Sequence, residues 1–291
     1  MALDVRGRIE RIDLRGRIDR VAERVPPLKY FLDIQDRYGH LHGNVSANSI
    51  TLTAFLALFA ITLLAVAALG YLDRSSVDVA KAITNWLGLS GDAAKLVTDA
   101  VNTASKSARF ATIVGFIGVV TIGTSFAGSV ATSYNIAWGV RNRGLIERLR
   151  GLVWLAGFGV LGAASVMATT LWTRLSTELS FVVVVVTMVT NTLLWLFTSW
   201  WLPNRTVSFR AMLPAAVAGA AMLEALKVVG GIWVPRIVGN ASELWGTIGG
   251  VFALIAWILF FGRVVVYVTV IEVLEAERLG QKQSPHGALL P

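Results

Sequence analysis

The chain holds no cysteine, three histidines and only 15% charged residues, and each shortage closes a class of function. Without cysteine there is no disulfide, no thiol redox chemistry, no iron–sulfur ligation and no Cys-type zinc site. Metal-dependent phosphodiester cleavage needs clustered His, Asp and Glu to hold ions and activate water. His40 and His42 flank one Leu and His286 lies near the C-terminus, with no HExxH motif and no His-x-His-x-Asp-His run. On a helix, i, i+2 spacing points the first two to opposed sides. A Gly-x-Ser-x-Gly elbow is missing, and so is a Walker A loop. Gly88 to Lys95 has the wrong spacing for a phosphate loop, with Leu96 where Ser or Thr is required. No signal peptide is evident, because the first apolar run begins only near Ile50. We therefore expect no enzyme, and no catalytic, cofactor-binding or metal-binding residue.

What the chain has in excess is hydrocarbon: 55% of its 291 residues are hydrophobic and the mean hydropathy is +0.65. Six apolar runs, at about 50–72, 110–138, 152–172, 180–202, 211–234 and 248–271, each approach the ~20 residues a helix needs to cross ~30 Å of hydrocarbon. The expected fold is all-α, a polytopic membrane protein with six transmembrane helices. Of the 26 Lys and Arg, 17 fall in residues 1–49, 139–151, 203–210 and the tail after Ile271. Only seven fall in the alternate segments. Because Lys and Arg are retained in the cytoplasm during insertion, both termini are expected there. The net charge of +8 then reflects topology and contact with anionic lipid heads, and nucleic acid is not expected as a partner.

Three organisational units follow: an Arg-rich arm with an interfacial helix at 1–49, the membrane domain at 50–278, and a cytoplasmic tail at 279–291. The arm repeats one nonapeptide, DVRGRIERI at Asp4–Ile12 and DLRGRIDRV at Asp13–Val21. Nine residues at about 100° each make two and a half turns, so the two apolar sets face opposite ways and one flat surface helix is not expected. After Pro26 and Pro27, Leu28, Phe31, Leu32, Gln35 and Tyr38 follow helical spacing into a short interfacial helix. The long segment Asp73–Arg109 reads as two amphipathic helices, one over Val77–Leu87 and one over Ala94–Val101, broken at Gly88-Leu89-Ser90-Gly91 and capping the bundle from outside.

Polar residues inside the spans carry the candidate chemistry. Thr121, Ser125, Gly128, Ser129, Thr132 and Asn135 share one face about 120° wide on the second span, and Thr187, Asn191 and Thr198 make a thinner seam on the fourth. Such seams glue helices together or line a hydrated path, and glue is the commoner role. Glu224 and Lys227 stand at i, i+3 on the fifth span beside Ala220 and Gly231. Two charges at such depth cost roughly 5–7 kcal/mol against roughly 3–4 returned by the helix's large apolar side chains, so neighbours must shield them. Arg263 on the sixth span either snorkels to the cytoplasmic interface or acts within the bundle. Glu272 closes that span.

The stretch Leu202–Arg278 resembles the YihY/BrkB family of bacterial inner-membrane proteins. The resemblance rests on Leu202-Pro203-Asn204-Arg205, on Arg210 and Pro214, on Leu223-Glu224-Ala225-Leu226-Lys227, on Trp245-Gly246-Thr247-Ile248-Gly249-Gly250, on Trp257 and on Glu272. Phe260-Phe261-Gly262-Arg263 is most similar to the YhjD-like branch. Departures stand at Leu213-Pro214-Ala215, at Val270-Ile271 and at Phe59-Ala60. The resemblance implies a six-helix protein of the bacterial cytoplasmic membrane that exports a lipid-linked or amphipathic envelope component. The family's older label of ribonuclease finds no ligand cluster here. A non-transporting scaffold stays open as the alternative. Expected partners are membrane lipids, with anionic lipid at the arm, and homo-oligomerisation is open.

Overall fold

A computed structural model describes residues 25–70, 80–81, 84–85, 91–105, 108–142, 144–175 and 180–280. Side chains at 65–70, 102–105, 108–112, 165–175, 180–183, 231–250 and a few single positions lie outside that description. The nonapeptide repeat, most of the expected helix over Val77–Leu87 and the tail beyond Gly280 also lie outside the described residues. The chain divides after His42 into two units. In the first, α1 (Pro26–His40) carries Pro26 at its start, where a missing N–H removes no helical bond. It holds all five residues expected to form the interfacial helix. Ile34 and Tyr38 are buried, while Phe31 is exposed.

Among its described residues the second unit is built of helices joined by short connections. It comprises α2 (Gly43–Gly70), α3 (Gly91–Ser105), α4 (Ala108–Gly118), a π-helical turn (Val119–Gly123), α5 (Thr124–Ala137), α6 (Leu145–Leu175), α7 (Ser180–Trp201) and α8 (Phe209–Arg278). Among the described residues, five stretches are long and apolar enough to cross a membrane: Gly43–Thr62, Ile113–Ala137, Val184–Trp201, Phe209–Gly230 and Val251–Arg278. These correspond to five of the six expected spans. The remaining one, 152–172, falls in α6, which is 31 residues long and carries Glu147, Arg148 and Arg150 in its first two turns. Leu52, Val160, Val184 and Phe252 are exposed large apolar side chains, the outward face that lipid requires.

Helix α8 departs from the expected loop at 235–247, since its backbone is helical over 70 residues. It is nevertheless a hairpin. A straight helix would place Gly219 and Val268 about 74 Å apart at 1.5 Å per residue, yet a Cβ on Gly219 would lie 2.6 Å from Val268 Cγ2. The chain therefore doubles back between Gly230 and Val251, making a first limb (209–230) and a second limb (251–278) that pack antiparallel. Backbone groups facing lipid have no water to bond, which keeps the helical ladder running up to the reversal.

Small residues set the closest approaches. A Cβ on Gly262 of the second limb would stand 2.7 Å from the Ala47 carbonyl oxygen of α2, and one on Gly118 would stand 2.8 Å from Ala60 Cβ. Such contacts replace the hydrophobic driving force that lipid withholds from helix pairs. The break expected at Gly88–Gly91 ends at Gly91, whose φ is +63° and which starts α3. Ala93, Val97 and Val101 of α3 pack with Leu254, Trp257 and Ile258, so the segment expected as an outer cap joins the core of the second limb.

Candidate functional site

Asn191, Glu224 and Lys227 come together where α7 meets the first limb of α8. The i, i+3 spacing brings Lys227 Nζ to 2.9 Å from Glu224 Oε1. Across the helix interface, Asn191 Nδ2 donates to that same oxygen at 2.6 Å. Two donors on one carboxylate oxygen make this a charge-assisted pair of bonds, and the amide braces the ion pair from a neighbouring helix. Asn191 is buried and its Oδ1 has no hydrogen-bond partner, whereas the Lys and Glu side chains are 18% and 27% exposed. The sequence placed Asn191 and the pair on separate helices and did not join them.

Arg263 stands apart from them. Antiparallel packing that matches Gly219 with Val268 sets residue 263 at the depth of residue 224. At 100° per residue, however, each lies about 140° around its own limb from the face the limbs share. The two charges therefore point in opposite directions. The Arg263 guanidinium carbon lies 5.8 Å from the centre of the Phe260 ring, and among the described residues no ion pair joins it to Glu224 or Glu272.

A second polar cluster lies at the other end of these helices, where α5, α6, α7 and the second limb meet. Gly139 and Gly144 take φ of +62° and +61°, which folds the short connection between α5 and α6 tightly. Asn135 Nδ2 donates to Asn142 Oδ1 at 2.8 Å and to Glu147 Oε1 at 2.9 Å, and its Oδ1 accepts from the Asn204 backbone N–H at 3.0 Å. Asn204 Nδ2 donates to the Arg141 carbonyl at 3.1 Å, while Arg150 Nη1 donates to Asn204 Oδ1 at 3.3 Å. Arg150 also donates to the Trp201 carbonyl, and Trp201 Nε1 returns a bond to the Arg150 carbonyl at 2.9 Å. Asn204 is thus the hub of the loop that closes α7.

Glu272 sits beside this hub, fully buried. Trp138 Nε1 donates to its Oε1 at 3.3 Å, and the Arg205 guanidinium carbon lies 4.9 Å from the Trp138 ring centre. Ser199 lies against the same carboxyl and shares a hydroxyl bond of 3.2 Å with Tyr134. Trp138, Tyr134, Ser199 and Arg150 were absent from the sequence-derived candidates. Their partners lie 51 to 134 positions away, beyond any local spacing rule.

The expected seam on the second span is divided by the structure. Thr121 and Ser125 are exposed and spend their hydroxyls on the carbonyls of Ile117 and Thr121, four residues back. Ser129 turns to α2, within 3.3 Å of Ser49 Oγ and accepting from Thr53 Oγ1 at 3.2 Å. Thr132 accepts from Asn142, and Asn135 belongs to the polar hub. The π-helical turn explains part of the mismatch, because i→i+5 bonding alters the rotation that a uniform 100° per residue assumes. On α7, Thr198 receives Trp154 Nε1 at 3.1 Å.

Between the two clusters lies a partly open cavity of about 100 Å³, walled by residues including Phe126, Trp154, Phe158, Trp195, Trp257 and Phe261. Its wall includes Leu223 and Leu194, neighbours of Glu224 and Asn191 in sequence and helix turn. Glu224, Lys227 and Arg263 do not line it. A family model described as Virulence factor BrkB matches residues 34–288. No curated protein and no solved structure matches the chain.

Proposed function

The chain belongs to the BrkB family of membrane proteins, and from that premise we propose that it carries a lipid-linked or amphipathic envelope component across the bacterial cytoplasmic membrane. In this reading it spans the membrane six times, α6 included, with both termini inside. It is a carrier and not an enzyme. The observation that supports it best is the apolar cavity. About 100 Å³ of apolar-lined space is partly open to the outside of the bundle and has the lining that hydrocarbon requires. Hydrocarbon of a substrate would occupy the cavity, and its polar part would meet Asn191, Glu224 and Lys227 about one helical turn away.

A second reading draws on the fact that the three intramembrane charges do not line the cavity. On it, the protein is a scaffold that supports envelope integrity by holding anionic lipid or a partner, and the Glu224–Lys227 pair serves assembly alone. Three variants separate the two: Glu224→Gln, Lys227→Met and their combination. Removing one charge strands the other in a poorly solvated site, so each single should melt below the double in detergent. If the pair handles substrate, the double mutant is well folded and fails to complement or to export lipid. A stable and fully active double mutant would transfer the protein to the scaffold reading.

A further inference from the structure

The cavity walled by Trp154, Trp195 and Trp257 has a neighbour. This second cavity, of about 60 Å³, is lined by Phe55, Phe59 and Thr62 of α2, by Leu96 and Val97 of α3, and by Val251 and Leu254 of the second limb. Leu58 lines both. At 100° per residue, the other α2 residues of the first cavity, Ala54, Ala57 and Ile61, lie about 40–100° to one side of Leu58, and Phe55, Phe59 and Thr62 lie about 40–100° to the other. Leu58 is thus the edge at which the two chambers meet on α2. On the second limb they follow one stripe instead. Val251 and Leu254 line the second cavity and Ile258, Phe261 and Val265 the first, at alternating steps of three and four, which makes a single helix face about 21 Å long. Leu58 packs against the cluster that holds Leu254, Trp257 and Ile258, where that stripe passes from one chamber to the other.

Both chambers offer carbon to an occupant. Thr62 donates to the Leu58 carbonyl at 2.7 Å and Thr198 to the Leu194 carbonyl at 2.8 Å, so each hydroxyl is already spent on its own helix. The N–H groups of Trp195 and Trp257 are buried in the wall. Water needs polar partners that such a lining withholds, whereas a hydrocarbon chain needs none. We propose that Leu58 sets the length of hydrocarbon chain that the first cavity accepts. A chain lying along the stripe from Val265 towards Val251 fills the first chamber and meets the Leu58 side chain at the passage to the second. Because Leu58 has open space on both sides, shortening it joins two existing chambers into a longer one. That hydrocarbon occupies the first cavity rests on the transport reading above, and the limit on its length is the step added to it.

The full chain, held in amphipol free of detergent, can be titrated with n-alkanols of increasing length that carry a terminal bromine. Binding is read as saturable quenching of tryptophan fluorescence, since Trp154, Trp195 and Trp257 wall the first cavity. Wild-type affinity should rise about fourfold per added methylene until the chamber is full, and then level off. In Leu58→Ala the rise should keep its slope and level off only at longer chains. Leu58→Val should shift the limit the same way by less, which keeps the test open if the alanine variant does not fold. Leu56→Ala, at a position 43% exposed on the far side of α2, should leave the limit unchanged. A limit that stays in place or shortens in the Leu58 variants, or a wild-type affinity that never levels off, would overturn the role of Leu58 and leave hydrocarbon binding intact. No saturable quenching by any chain length in wild type would instead remove hydrocarbon from the cavity, and the transport reading of that cavity would fall together with this one.

Discussion

At the scale of single residues, glycine decides where helices can touch. At Gly262 an added Cβ would meet the carbonyl oxygen of Ala47 at 2.7 Å, and a backbone atom has no rotamer with which to retreat. Gly262→Ala should therefore destabilise the protein by about 1–3 kcal/mol, read as a lowered melting temperature in detergent. Gly128 is the internal control, because nothing lies within 4 Å of its added Cβ. Gly128→Ala should be neutral or stabilising by up to about 1 kcal/mol from helix propensity alone. Equal losses in both variants would show that the α2–α8 contact is not tight. Both glycines were visible in the sequence, one within an aromatic-rich stretch and one within a polar seam. Which of them faces a backbone oxygen depends on a helix more than 200 positions away.

At the scale of elements, the loop closing α7 is held by its partners more than by its own conformation. Asn204 uses Nδ2 on the Arg141 carbonyl and Oδ1 on Arg150, joining the ends of α5, α6 and α7. Asn204→Ala removes both bonds and should cost about 1–3 kcal/mol at ~0.5–1.5 each. Asn204→Asp keeps the acceptor facing Arg150 and loses one donor, so its melting temperature should fall between those of Ala and wild type. An Asp variant no better than Ala would mean that the Arg150 bond contributes nothing. The helices themselves were legible from apolar run lengths, and α1, α3 and the five spans fall where hydropathy and spacing set them. The π-helical turn and the unbroken helical backbone of α8 were not legible, since no local residue choice distinguishes a loop from a helical reversal there.

At the scale of the whole molecule, the charge asymmetry makes a topology that labelling can test. Single cysteines at Ser90, Thr177 and Ala241, in a background with no cysteine, should react with an impermeant thiol reagent on intact cells. Those at Arg143, Ser208 and Ser284 should react only after permeabilisation. Arg143→Cys labelling as fast as Ser90→Cys would reverse the orientation we propose. The arm belongs to the same scale: deleting residues 2–25 should leave insertion intact and weaken binding to anionic vesicles, with the difference shrinking at high salt.

What the sequence determined by itself was the class of molecule: helical, membrane-embedded and of BrkB type. Hydrophobic length, the absence of metal-ligand clusters and the motif from Leu202 onward are all properties of the chain read in order. It also identified Glu224 and Lys227 as costly enough to need shielding neighbours, and it marked Asn191 and Glu272 as candidate polar positions. The identity of those partners was decided by the tertiary structure. Asn191 reaches Glu224 across 33 positions and Trp138 reaches Glu272 across 134, and these pairings depend on how α8 doubles back against α5 and α7. The separation of Arg263 from Glu224 has the same origin: the antiparallel packing of the two limbs sets both at one depth, and the rotation of each limb about its axis turns them apart. Hydropathy records how deep a residue lies, and helix packing decides what it faces.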